Sequence, residues 1–68
     1  MANKQALVEL TETLLNGHLS AITQLQRKAL SASEKGDVSA CTAALRLQDR
    51  AILDAIETSV ALQKLISS

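Results

Sequence analysis

The side chains that could carry chemistry are few: one imidazole, His18, one thiol, Cys41, and seven carboxylates matched by seven Lys and Arg. A zinc site gathers three or four ligands around one ion, so a site built on His18 or Cys41 would have to recruit carboxylates or a second chain. Nucleophilic catalysis needs a base in hydrogen-bond reach and a group that orients it. No carboxylate stands within one helical turn of His18, and no Ser or Cys occupies a nucleophile motif. Phosphate loops, dinucleotide glycines, EF-hand loops and zinc spacings are absent. The expectation is a protein that is not an enzyme and uses no cofactor or metal.

Each of these residues has a bland reading beside the chemical one. His18 falls among Leu14, Leu15, Ile22 and Leu25, with Gly17 beside it leaving room for another backbone. An imidazole in such a place can switch an interface with pH, or it can simply hydrogen-bond a partner side chain or water inside a bundle. Cys41 reads as an inert small core residue. Thr11, Gln48 and Ser59 interrupt otherwise apolar stripes, where polar groups either fix register and oligomer state or mark a place that opens to water.

The elements that position these residues are helices. From Leu7 onward apolar residues recur at helical spacing, and Leu7, Val8, Leu14, Leu15, Ile22, Leu25 and Ala29 project onto one side of a helix over about residues 3–33. The pattern stops at 34–37, where Gly36 can end a helix in the left-handed conformation and Asp37 can cap the next. A second helix follows over about 38–66, with Val38, Cys41, Leu45, Ile52, Ala55, Ile56, Leu62 and Ile66 on its main face. Arg46, Arg50, Glu57 and Lys64 point away from that face, and Arg50 and Asp54 form an i,i+4 ion pair. Leu47, Leu53, Val60 and Leu65 lie outside the stripe and require a second apolar contact surface. Ala40, Ala43, Ala44, Ala51, Ala55 and Ala61 either permit close helix approach, leave a groove for another helix, or only raise helix propensity.

Residues 1–68 thus form one all-α domain, an antiparallel two-helix hairpin. On the register the short turn suggests, Leu25 meets Leu45 and Leu15 meets Ile56. The apolar stripes are too broad for two helices to cover, and 68 residues without a disulfide bury little surface against roughly 1.5 kcal/mol of ordering entropy per residue. Association remains as the remedy, so a homodimer forming a four-helix bundle is expected. Zero net charge and the absence of Phe, Tyr and Trp disfavour nucleic acid as a partner. No run of about 18 apolar residues could span a membrane, and no basic segment precedes an apolar one as in a signal peptide. A cytoplasmic protein with an unpaired thiol is expected.

The stretch Ala29-Leu30-Ser31-Ala32-Ser33-Glu34-Lys35-Gly36-Asp37-Val38-Ser39-Ala40, followed by Leu45, Asp49-Arg50 and Ile52-Leu53, resembles the hairpin of flagellar export chaperones of the FliT and FlgN kind. The resemblance covers the middle half of the chain and departs from the family at Val38, where its members often carry a bulky aromatic. It implies an all-helical chaperone holding an amphipathic segment of a secretion substrate against an apolar groove, with Arg46, Asp49 and Arg50 as candidate partner contacts. Together with Leu47, Leu53, Val60 and Leu65, these make up the expected partner-binding surface. The alternative is a structural homodimeric bundle, or a small assembly or regulatory subunit, without an exchangeable client.

Overall fold

Two long amphipathic segments separated by a single Gly-Asp pair leave the chain one economical arrangement, and the computed structural model, which describes residues 2–68, has it. Helix α1 spans Ala2–Glu34 and helix α2 spans Val38–Ser67, with no strand among the described residues. The molecule measures 53 × 14 × 11 Å. A helix of 33 residues is about 50 Å long, so the helices lie side by side over their whole length, antiparallel. At the open end Lys4 Nζ donates to the main-chain oxygen of Ser68, bringing the two termini together.

The turn is a Schellman motif. Gly36 adopts φ +72°, its N–H donates to the Ser33 carbonyl at 3.0 Å, and the Asp37 N–H donates to the Ala32 carbonyl at 2.9 Å. Asp37 then caps α2, its carboxylate accepting from the Ala40 N–H at 3.0 Å. One residue therefore closes the first helix with its main chain and opens the second with its side chain. The expected break at 34–37 and the role of each turn residue hold.

The seam between the helices keeps Val8, Leu15, Ile22, Leu25, Ala29, Cys41, Ala55 and Leu62 of the expected stripes and differs from the sequence reading in the rest. Burial recurs on α1 at Val8, Thr11, Leu15, His18, Ile22, Leu25, Ala29 and Ala32, and on α2 at Cys41, Ala44, Gln48, Ala51, Ala55, Thr58, Leu62 and Leu65. Both series alternate steps of three and four, the spacing of a coiled-coil seam. The most deeply buried residues are all alanines: Ala29, Ala32, Ala44, Ala51 and Ala55. An alanine methyl is buried when the facing chain comes close, so the helices approach closely, with Val8, Leu15, Ile22, Leu25, Leu62 and Leu65 half-buried alongside the alanines.

Several residues expected in the seam are therefore outside it. Leu7, Leu14, Leu45 and Ile56 are exposed, Val38 is 76 % exposed, and Ile52 sits at the seam's edge at 38 %. Leu65, expected outside, is half-buried within it. Counted outward from the turn, the series place Ala29 level with Ala44, Leu25 with Gln48 and Leu15 with Thr58, which replaces the expected Leu25–Leu45 and Leu15–Ile56 pairing. Of the three readings of the alanines, close approach is the one realised at Ala44, Ala51 and Ala55. Thr11 and Thr58 cost the seam little, because their hydroxyls donate to the carbonyls of Leu7 at 2.7 Å and Asp54 at 2.8 Å in their own helix.

Gly36→Val should destabilise the hairpin by about 1–2 kcal/mol through its left-handed φ, and Asp37→Ala by about 1 kcal/mol through loss of the cap, both read from thermal or urea unfolding. Ala51→Leu should destabilise by about 1–3 kcal/mol, because four heavy atoms replace one where the backbones meet; unchanged stability would mean the helices are not closely apposed there.

Candidate functional surface

A seam shared between alanines and a few larger residues leaves most of the large ones elsewhere. The chain has nineteen Leu, Ile and Val residues; thirteen are exposed, and the remaining six line the seam without any being fully buried. The accessible surface is 5102 Å². A compact monomer of 7.2 kDa would expose about 4,100 Å². The excess, about 1,000 Å², is of the size that one partner contributes to a specific protein–protein interface.

The exposed aliphatics lie on both sides of the seam. On the first face, a hollow framed by Leu15, Leu19, Ile22, Ile52, Ile56 and Ser59 continues toward the turn into another framed by Gln26, Leu30, Ser33, Leu45 and Gln48. Neither hollow is lined by a charged side chain. On the second face, a hollow near the turn is lined by Leu25, Ala40, Ala43 and Leu47 together with Lys28, Lys35 and Asp37. Further along α1, Leu7 and Leu10 frame a shallower depression with Asn3 and Ala6.

The residues expected to bind a partner are not gathered into one site. Leu47 lines the second face, while Leu53 is exposed on the outer side of α2 and Val60 reaches the rim of the first hollow. Leu65 is in the seam. Arg46 and Asp49 are exposed, and Arg50 Nε lies 3.4 Å from Asp54 Oδ1 in the expected i,i+4 pair. With the Arg50 side chain 74 % exposed, that pair contributes a few tenths of a kcal/mol and leaves the guanidinium accessible.

Leu19, Leu30, Leu45, Ile52 and Ile56, which frame the first face, were not expected to be a binding surface. The available signal was the spacing of the small residues: Ala44, Ala51 and Ala55 follow the seam rhythm with Cys41, Gln48 and Thr58, which moves Leu45, Ile52 and Ile56 to the flank.

No protein-family model, curated protein or solved structure matches this chain.

The possible chemical centres stay apart. His18 and Cys41 are both half-buried in the seam, twenty-three positions from each other along the chain and at different levels of the hairpin. Among the described residues no group of three or more His, Cys, Asp or Glu is arranged to hold a metal ion, and no buried side-chain polar atom lacks a partner. No described helix is long and apolar enough to cross a membrane.

Gly17, expected to admit another backbone, is exposed, and a Cβ built on it meets nothing within 4 Å. Gly17→Ala should therefore raise hairpin stability by about 1 kcal/mol through helix propensity. A loss of stability, or of self-association in sedimentation, would place a second chain's backbone against it.

Proposed function

We propose that this hairpin is a protein–protein association module, whose role is to present apolar helix surface to helices from other chains. The observation that carries this reading is where the large aliphatics lie: the most buried residues are alanines, while thirteen of the nineteen Leu, Ile and Val side chains are exposed. Folding buries only about half the surface of the unfolded chain, where a domain of this size buries about 60 %. A helix laid along either hollow would recover that deficit, since each large aliphatic side chain contributes roughly 1.5–3 kcal/mol when fully buried. A second copy is the first such partner, giving a four-helix bundle and a homodimer. Zero net charge places no overall repulsion between copies.

The more specific form of the proposal is a secretion or flagellar export chaperone holding an amphipathic client segment. It is supported by the Gly36-Asp37 turn and by two faces rather than one, so that a client can be accommodated alongside a dimer contact. A closed structural bundle without a client is favoured instead if both faces are covered by copies of the chain itself.

Sedimentation equilibrium at micromolar concentration should report at least a dimer, and a hydrophobic dye should still bind it if one face stays open; a dimer that binds no dye is the closed bundle. A stable helical monomer that binds neither dye nor partner overturns the association reading altogether. Leu53→Ser and Val60→Ser, at exposed positions, should preserve helicity, and His18→Gln should leave partner binding within a few-fold.

A further inference from the structure

The charges that border the two faces differ in sign. Helical spacing from the seam places Glu9, Glu12 and Asp49 along the flank of the first face, with no Lys or Arg among them. The same spacing puts Lys28, Arg50 and Lys64 along the second face, against Asp54 and Glu57, and Lys28, Lys35 and Asp37 line its hollow. The first face is thus an apolar floor with an acidic border, and the second a mixed surface with an excess of positive charge.

Resting on the association reading above, we infer that the first face receives an amphipathic helix whose apolar stripe is flanked by Lys or Arg. The floor from Leu30 and Leu45 through Leu19 and Ile52 to Ile56 offers aliphatic side chains to residues spaced i, i+3, i+4 and i+7. Basic flanks on the incoming helix then meet Glu9, Glu12 and Asp49. Two copies of this face brought together would oppose carboxylate with carboxylate, which disfavours a symmetric contact between copies here and leaves the face for a different chain.

The test uses the intact protein and two labelled synthetic peptides of about 18 residues, roughly the length of helix that covers the floor. Both carry Leu at i, i+3, i+4 and i+7; one has Lys at the flanking positions, the other Glu. Fluorescence anisotropy should show the Lys peptide binding about tenfold more tightly at low salt, the difference shrinking as salt is added. Asp49→Lys should weaken the Lys peptide several-fold, and Leu45→Ser with Ile56→Ser, both at exposed positions, should abolish its binding. Leu14→Ser with Leu47→Ser should leave it within about twofold. Equal affinity for the two peptides overturns the inference while the association reading stands, as does loss of binding only with the Leu14 and Leu47 substitutions. If neither peptide binds and the Leu45 and Ile56 substitutions break a dimer, a second copy occupies the face and the inference is wrong. If neither peptide binds and the protein is monomeric by sedimentation, the inference and the association reading fall together.

Discussion

The close approach of two helix backbones along an alanine seam governs everything else in this protein. Ala29, Ala32, Ala44, Ala51 and Ala55 are its most buried residues, interleaved with half-buried Val8, Leu15, Ile22, Leu25, Leu62 and Leu65, while the other Leu, Ile and Val side chains lie outside it. With none of the large aliphatics fully buried, the hydrophobic term that usually dominates folding is weak inside one chain. Helix propensity, the two-way cap at Asp37 and the Schellman turn at Gly36 define the shape. Most of the large aliphatic side chains that could stabilise that shape stay exposed.

This arrangement gives the polar seam residues a modest task. Thr11 and Thr58 satisfy their hydroxyls within their own helices, and His18 and Gln48 stay partly open to water at the seam's edge. None is enclosed as a polar group in a low-dielectric core would be, so none incurs the large penalty of burial without a partner. Leu15, Leu25, Leu62 and Leu65 share the seam with the alanines as in a two-stranded coiled coil, but long aliphatic side chains also stand on the flanks, where an ordinary coiled coil carries charge. Here the flanks are apolar, and charge is displaced to the borders and outer surface.

A hairpin that buries about half of its unfolded surface has little stability in reserve, and any covering of its faces would lower the free energy of the folded state by mass action. A partner that covered the exposed Leu and Ile residues would therefore favour both the complex and the hairpin itself.

Sequence alone determined the helical class, the length of both helices to within a residue or two, the turn at Lys35-Gly36-Asp37, the Arg50–Asp54 pair and the surplus of apolar surface. These depend on local periodicity and on backbone and capping chemistry, which neighbouring residues settle among themselves. The same periodicity turned Val8, Leu15, Ile22, Leu25, Ala29, Cys41, Ala55 and Leu62 inward; only the tertiary structure decided which of the remaining apolar residues join them. A broad stripe such as Leu14-Leu15 or Leu45 with Ile52 and Ile56 suits several rotations of a helix about its axis, and ranking residues by size points the largest inward. The distance between the backbones reverses that ranking: once the helices meet at Ala44, Ala51 and Ala55, the seam admits Leu65 near the open end, while Leu45, Ile56 and Leu14 are left on the surface, because side-chain volume between two close backbones is limited by the space available rather than by hydrophobicity.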